Sequence, residues 1–222
     1  MRFFLDSASS EEARRIKDLG LLDGIWTSPA LAREAGIDYR KAIRELSGIT
    51  DGPVLAELEA EDTKGMYKES RELAKLGKDV VIRLPLRPEG MRVARLLAQD
   101  QVAVCASDCF SAAQALIAAK ANVSYVAPAV GALDDTGTIG MDLVEQMIRV
   151  YDNYGFQTQI VVADARNPIH VLDASLMGAD VAALPGFVIE QLFRHPLAED
   201  LRAEKPSWRL LPIASSTSRA SC

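Results

Sequence analysis

Short apolar runs alternate with helical patterns eight times along the chain, and this alternation restricts the possible folds more than any other feature. Parallel strands that are buried on both faces appear in a sequence as short, nearly continuous apolar runs. The runs predict strands at residues 2–6, 24–27, 54–58, 78–85, 102–106, 123–127, 159–163 and 180–185. Eight strand–helix units predict a single-domain α/β protein with a (β/α)8 TIM-barrel fold. A doubly wound open sheet is the alternative, but no GxGxxG segment follows the first strand.

Capping residues and prolines mark where the intervening helices begin. Ser9 is followed three residues later by Glu12, as in a capping box, and Ser28-Pro29 and Asn167-Pro168 place proline at a first helical position. One predicted helix begins near Pro29. The other predicted helices span residues 10–19, 38–46, 62–76, 88–99, 111–120, 141–154, 168–177, 188–194 and 196–203. Residues 131–140 are predicted to form the longest loop.

Composition excludes several classes of partner. The net charge of -6 and the pI near 5.1 argue against nucleic-acid binding. No apolar stretch approaches the roughly 20 residues that span a bilayer, so we expect a cytoplasmic protein without a membrane partner. The three cysteines, Cys105, Cys109 and Cys222, form no CxxC pair, which argues against a disulfide framework and a structural zinc site. We therefore expect neither a metal nor a cofactor.

The barrel prediction also locates the functional site. Active sites of such barrels lie at the C-terminal ends of the strands. The polar and aromatic residues at these ends are Asp6, Trp26, Thr27, Ser28, Glu57, Glu59, Arg83, Ser107, Asp108, Asp164 and Arg166. Carboxylates crowded at a partly buried mouth perturb one another's pKa values and can keep an acid or base available near neutral pH.

Arg83 is the most informative of these residues. It follows the apolar run Val80-Val81-Ile82, so its guanidinium needs an anionic partner at the strand end. One possibility is a substrate carboxylate, phosphate or oxyanion. The other is a structural ion pair with one of the neighbouring carboxylates. Trp26 likewise fits either the core or a stacking platform for a ligand.

Several segments in order resemble the transaldolase family, in particular its small fructose-6-phosphate aldolase-like branch. The similarity covers residues 3–208, nearly the whole chain. It is carried by Phe4-Leu5-Asp6, Trp26-Thr27-Ser28-Pro29, Ala56-Glu57, Glu89-Gly90, Ala112-Ala113-Gln114, Tyr125-Val126-Ala127-Pro128 and Trp208. The resemblance implies a (β/α)8 barrel, assembly into pentamers or decamers through C-terminal helices, and aldol chemistry through a Schiff base on a lysine.

The chain departs from this family pattern at the reactive position. The resemblance places the Schiff-base lysine where this chain has Arg83, and a guanidinium with a pKa above about 12 does not supply the neutral amine that imine formation needs. Further departures are Ser28 for asparagine, Ala129 for tyrosine, Ala132 and Ile169 for phosphate-binding arginines, and Asp108 and Asp164 for small residues. The resemblance implies that Asp6 and Glu57 move protons and that Thr27 and Ser107 orient a water or hydroxyl.

These residues predict an enzyme that works without a Schiff base on a small anionic or carbonyl-bearing metabolite. The expected reaction is of the lyase, cyclase, dehydratase or isomerase type. Arg83, Asp6 and Glu57 are the predicted catalytic residues. The predicted substrate-binding residues are Trp26, Thr27, Ser28, Ser107, Asp108, Asp164 and Arg166. One alternative is a genuine aldolase or transaldolase of sugar phosphates, and another is a noncatalytic barrel that binds a metabolite or a partner chain.

The C-terminal segment suggests contacts with other copies of the chain. Apolar residues at Leu197, Leu201, Trp208 and Leu211 are too many for a free tail. We therefore expect a homo-oligomer in which C-terminal helices pack on a neighbouring subunit. The predicted barrel domain covers residues 1–213, and the serine-rich segment 214–222 is predicted to be a disordered tail.

Overall fold

The computed structural model describes residues 1–198 of the 222-residue chain. The strands are β1 (Arg2–Asp6), β2 (Gly24–Thr27), β3 (Val54–Glu57), β4 (Val80–Pro85), β5 (Val104–Cys109), β6 (Tyr125–Pro128), β7 (Gln159–Val162) and β8 (Val181–Leu184). The helices are α1 (Ser10–Asp18), α2 (Pro29–Glu34), α3 (Tyr39–Ile49), α4 (Thr63–Leu73), α5 (Pro88–Gln99), α6 (Ala112–Lys120), α7 (Val130–Asp134), α8 (Gly140–Tyr154), α9 (Pro168–Met177) and α10 (Gly186–Gln191).

The strands form one closed barrel. Each strand pairs in parallel with the next one in sequence, and β8 pairs with β1 to complete the ring. The predicted single-domain (β/α)8 TIM barrel is therefore confirmed.

Alternation along each strand divides the core into two layers, because successive side chains of a strand point to opposite faces. The larger layer lies between the strands and the helices. The smaller one fills the inside of the barrel with Phe4, Trp26, Leu55, Val81, Cys105, Ala127, Val161, Ala163, Val181 and Ala183. Side chains two residues after an inner-layer residue therefore also point inward, one layer nearer the C-terminal mouth.

The predicted helix starts are confirmed by their capping hydrogen bonds. The hydroxyl of Ser9 accepts a bond from the N–H of Glu12, and that of Ser28 accepts one from the N–H of Leu31. The side chain of Asn167 accepts bonds from the N–H groups of Ile169 and His170. These bonds satisfy amides that have no partner within the helix.

Two local predictions differ from the structure. The segment predicted as the loop 131–140 overlaps α7. The carboxylate of Asp134, the last residue of α7, accepts a 2.8 Å bond from the N–H of Gly140, where α8 begins. Strand β5 extends beyond its predicted end at residue 106 to Cys109. Its register with β6 shifts between Ala106 and Cys109, as in a β-bulge, and alternation alone does not reveal this extra residue.

The predictions for the C-terminal segment lie largely outside the described residues. These are the last part of the helix at 196–203, the domain end at 213 and the tail 214–222. Cys222 lies there too, whereas Cys105 and Cys109 are buried free thiols. Burial raises the pKa of Cys105 to about 12 and that of Cys109 to about 11, so neither thiol is an active nucleophile at neutral pH.

Candidate active site

Strand alternation brings the predicted catalytic residues to one end of the barrel. Arg83 lies two residues after Val81, Asp6 two after Phe4 and Glu57 two after Leu55, and all three preceding residues belong to the inner layer. Neighbouring strands also align them, since Glu57 is the register partner of Arg83. The same spacing carries Ser107 and Ala129 to the mouth of the barrel.

A cavity of about 150 Å³ opens at this mouth. It is lined by Asp6, Trp26, Arg83, Ser107, Asp108, Ala127, Ala129, Ala163 and Asp164. Six of the ten predicted site residues therefore line one cavity: Asp6, Trp26, Arg83, Ser107, Asp108 and Asp164. Ala163 is a lining residue that the sequence prediction did not include, although it lies two residues after Val161 on the inner face.

The guanidinium of Arg83 is buried and held from several sides. Its Nη1 donates a 3.1 Å bond to the backbone oxygen of Thr27 and lies 3.5 Å from Oε2 of Glu57. Its Cζ lies 3.6 Å from the centroid of the Trp26 ring. The Nε has no hydrogen-bond partner within residues 1–198, although the residue is only 8% exposed. A buried donor without a partner is costly, so an acceptor from a ligand would stabilise this group.

Glu57 contacts Arg83 but is not a cavity-lining residue. Its backbone oxygen accepts a 3.0 Å bond from the hydroxyl of Tyr39, the first residue of α3. Burial raises the pKa of Tyr39 above its usual value, so this hydroxyl keeps its proton and continues to donate. Tyr39 therefore fixes the end of β3 beside Arg83. Its role was missed because its position on a helix carries no signal for a contact with a strand 18 residues away.

The surroundings of Asp6 move the pKa of its carboxyl group towards the range that suits proton transfer near neutral pH. Burial raises its pKa from 3.8 to about 6, and the nearby Asp164 and Glu57 carboxylates act in the same direction. The guanidinium of Arg83 opposes this rise without cancelling it. An acid with a pKa near 6 is largely ionised at neutral pH and can still take up a proton during a reaction.

Asp108 and Asp164 have a backbone conformation that is unusual for residues with a side chain. Their φ values are 59° and 56°, in the left-handed region. Two other described non-glycine residues share this conformation, Gln101 and Asn122, and both lie just after helices. The two aspartates instead line the cavity, where costly backbone conformations often accompany function.

Arg166 is held in a bridge between two carboxylates. It donates bonds of 2.8 and 2.9 Å to Asp135 and two bonds of 2.8 Å to Asp164. Nearby, His170 lies 3.1 Å from Asp134 and accepts a 3.3 Å bond from the backbone N–H of Arg166. Arg166 lies beside the cavity and does not line it, and its role in substrate binding stays a prediction.

The remaining predicted residues have structural contacts. Thr27 lies on the opposite face of β2 from Trp26, and its buried hydroxyl has no hydrogen-bond partner among residues 1–198. Ser28 caps α2. Ser107 donates a 3.2 Å bond to the backbone oxygen of Leu84 while lining the cavity. Glu59 forms an exposed ion pair with Arg33 at 2.8 Å.

Two further chemical features of residues 1–198 bear on function. No lysine lines the cavity, and no group of three His, Cys, Asp or Glu side chains is placed to hold a metal ion. In the same part of the chain, no helix has both the length and the apolar character to cross a lipid bilayer.

A closed parallel barrel with ionisable side chains gathered at the C-terminal ends of its strands is the architecture of a barrel enzyme. The family can be stated more closely. Residues 3–217 match the model of the transaldolase/fructose-6-phosphate aldolase family, and the chain belongs to this family, as its sequence motifs predict.

Individual relatives agree with this assignment. The chain is 46% identical over 200 residues to a probable transaldolase of Methanococcus maripaludis (strain S2 / LL), which covers 90% of this chain and 93% of the relative. It is 44% identical over 214 residues to a probable transaldolase of Hydrogenobaculum sp. (strain Y04AAS1), covering 96% and 98% of the two chains.

A solved structure supports the fold alone. A variant of flavocytochrome b2 with sulfite bound superposes with a TM-score of 0.59 at 12% sequence identity, over 83% of this chain. This chain spans 56% of the length of that protein.

Proposed function

We propose that this member of the transaldolase family makes or breaks a carbon–carbon bond next to a carbonyl group without forming an imine at β4. The names of the relatives favour aldolase or transaldolase chemistry over the cyclase, dehydratase and isomerase reactions that the sequence prediction also included. The observation that carries the mechanism is the Arg83 guanidinium, buried in the mouth with an unpartnered Nε and lining the same cavity as the Asp6 carboxylate of raised pKa.

Arg83 is proposed to bind the oxygen on which negative charge develops. In an aldol cleavage, a base removes the proton of the β-hydroxyl group, the carbon–carbon bond breaks, and its electron pair moves to the carbonyl oxygen of the other fragment as an enolate. A fixed guanidinium aimed at such an oxygen stabilises the charge more in the transition state than in the substrate. Trp26 and the backbone oxygen of Thr27 hold the guanidinium in place.

Asp6 is proposed as the group that moves protons. With a pKa of about 6, it is mostly ionised at neutral pH and accepts the proton of the β-hydroxyl group. It then returns this proton to the carbon of the enolate, which leaves the carboxylate ready for another cycle. Synthesis is the reverse sequence, so the scheme does not depend on the direction of the reaction.

The direct test is an aldol assay with dihydroxyacetone and an aldehyde, with product formation followed by mass spectrometry. We expect turnover by the natural chain and its loss in Asp6→Asn and Arg83→Gln variants that remain folded by circular dichroism. Unchanged turnover in both variants would reject the assigned roles. No turnover with any of a panel of aldehydes and ketones would reject the reaction.

A genuine Schiff-base transaldolase of sugar phosphates is the second candidate, and the names of the relatives favour it. It requires a lysine that reaches the mouth from outside the described residues, and Lys205 lies there. Borohydride reduction in the presence of fructose 6-phosphate decides between the two candidates. A covalent adduct mapped to a lysine by peptide mass spectrometry would establish the second one, and its loss in Lys205→Ala would identify the amine.

A further inference from the structure

The charges around the mouth bear on the class of substrate. Recognition of a phosphate group relies on arginine or lysine side chains and on free N–H groups at helix N-termini. In this chain, several groups of these kinds near the cavity are already occupied by oxygen atoms of the protein itself. The exceptions among the lining residues are Arg83, whose Nε has no partner within residues 1–198, and Ala129, which immediately precedes the five-residue helix α7 and provides no side-chain cap.

Arg166 is the first occupied group. Four of its N–H groups bond to the carboxylates of Asp135 and Asp164, at distances between 2.8 and 2.9 Å. A phosphate bound there would have to displace one carboxylate and remain close to the other. The arginine therefore neutralises the rim of the cavity and leaves no donor fork for an anion.

The helix N-termini that follow β5, β7 and β8 are occupied as well. The side chains of Ser111 and Asn167 accept bonds from the first turns of α6 and α9. At the start of α10, the carboxylate of Glu12 fills the space beside Gly186 that a Cβ atom would occupy. A negatively charged group is thus already packed against this N-terminus.

The cavity itself carries an excess of negative charge. Three carboxylates line it, those of Asp6, Asp108 and Asp164, and Asp164 is paired with Arg166, which leaves Asp6 and Asp108 against the guanidinium of Arg83. Asp108 is exposed and forms no ion pair within the described part of the chain. Arg83 is the one basic side chain among the lining residues, and its buried Nε has no partner within residues 1–198. A single guanidinium among carboxylates offers less to a phosphate dianion than a cluster of basic groups would.

We infer that the mouth takes a hydroxylated carbonyl compound that is uncharged or positively charged and excludes its phosphorylated counterpart. This inference rests on the proposed function, since it names the substrate class for the same site. It narrows the expected substrates from anionic or carbonyl-bearing metabolites to carbonyl-bearing ones, because Arg83 serves a developing oxyanion while the surrounding carboxylates repel a resident anion. The unpaired carboxylate of Asp108 at the rim determines the specificity.

The first experiment compares two matched aldehydes in the aldol assay with dihydroxyacetone. We expect kcat/KM for glyceraldehyde to exceed that for glyceraldehyde 3-phosphate by at least about tenfold.

An Asp108→Asn variant should reduce this ratio of kcat/KM values several-fold, because it removes a charge and keeps a side chain that tolerates the left-handed backbone. An Asp152→Asn variant is the matched control. Asp152 is exposed in the last turn of α8, and loss of its negative charge should leave the ratio of kcat/KM values unchanged. Equal or greater efficiency with the phosphorylated aldehyde would overturn the inference.

A second experiment measures binding without turnover, so failure of the proposed reaction does not hide the answer. The chain has two tryptophans, and Trp208→Phe leaves the indole N–H of Trp26 as the one tryptophan signal in a ¹⁵N spectrum. We expect glycerol and 3-amino-1,2-propanediol to shift this signal at concentrations at least about tenfold below those needed for glycerol 3-phosphate at equal ionic strength. A response to glycerol 3-phosphate at the lower concentration, or to none of the three, would refute the assigned class.

Discussion

The guanidinium carbon of Arg83 lies 3.6 Å from the centroid of the Trp26 ring. The indole of Trp26 belongs to the inner core and also lines the cavity, and its role as a stacking platform for a ligand stays a prediction. A cation over an aromatic face in a site sheltered from water is stabilised by roughly 2 kcal/mol. Together with the bond to Thr27, the contact keeps the guanidinium inside the barrel.

Replacing Arg83 tests its function against a purely structural role. We expect Arg83→Gln to lower kcat/KM by about 100-fold or more, since one removed oxyanion donor typically costs that much. The free energy of unfolding should fall by only about 1–2 kcal/mol, because Glu57 is half exposed and tolerates the loss of its partner. Steady-state kinetics and urea unfolding measure the two effects. Arg92→Gln, at an exposed arginine of α5, is the control and should change neither.

The pH dependence of the reaction should report the ionisation of Asp6. Because burial raises the pKa of this carboxyl to about 6, kcat/KM is expected to rise with pH through that value and then level off. The profile of Asp6→Asn should be lower and flat over the same range. A natural-chain profile that is flat from pH 5 to 7 would exclude Asp6 as the base.

The same pKa shift predicts how stability changes with pH. The folded-state pKa lies above the unfolded value of 3.8, so the folded chain binds more protons between these two values and its stability falls as pH rises from about 4 to 6. The Asp6→Asn substitution removes this contribution of Asp6 to the pH dependence of stability. Relative to the natural chain, the variant should gain up to roughly 3 kcal/mol between pH 4 and pH 7.5 in urea unfolding. A constant difference at the two pH values would contradict the shift.

Gly131 is expected to be needed for the bridge formed by Arg166. A Cβ atom at this position of α7 would lie 2.5 Å from Oδ2 of Asp164 and 2.7 Å from its backbone oxygen. Gly131→Ala should therefore cost about 1–3 kcal/mol of stability. Gly48→Ala is the matched control: Gly48 lies in α3 with no neighbouring atom within 4 Å of the added carbon, and the change should add about 0.5–1 kcal/mol. Thermal unfolding of both variants checks the prediction.

The assembly of the chain is a further prediction. Ile169, Leu172 and Leu176 are exposed along one face of α9, and Phe187 and Phe193 are exposed near α10. We propose that a second copy of the chain covers this surface, since a row of exposed apolar side chains on neighbouring helices is typical of an interface. Light scattering should give a mass several times the 24.1 kDa of one chain.

Two glutamates on α9 provide the test of that surface. A Leu172→Glu, Leu176→Glu variant should have a reduced mass in solution, because the added charges would be buried against the second copy. Ile117→Glu, at an exposed residue of α6, is the control and should retain the mass of the natural chain. A natural chain that runs as a monomer would contradict the proposal.

The sequence alone was sufficient to place three of the candidate residues at one end of the barrel, because strand alternation is a local property. Phe4, Leu55 and Val81 point into the barrel, so Asp6, Glu57 and Arg83 must follow at the mouth. The fold followed from the same pattern, and the family from motifs spread over most of the chain.

Contacts between distant segments were beyond this reasoning. Nothing local to Arg166 indicates that Asp135, 31 residues earlier, will accept two of its hydrogen bonds. The helix α7 was missed because Gly131 lowers its helix propensity, and the extra residue in β5 was missed because a bulge interrupts the alternation on which the prediction relied.

The left-handed backbone at Asp108 and Asp164 limits how the entrance of the barrel can be redesigned. Only glycine, asparagine and aspartate adopt this conformation at low cost, whereas valine, isoleucine and threonine do so poorly. A library randomised at these two codons should therefore retain glycine, asparagine and aspartate among its well-folded members. New specificities would then have to come from neighbouring positions with ordinary backbone angles, such as Ala129 and Ala163.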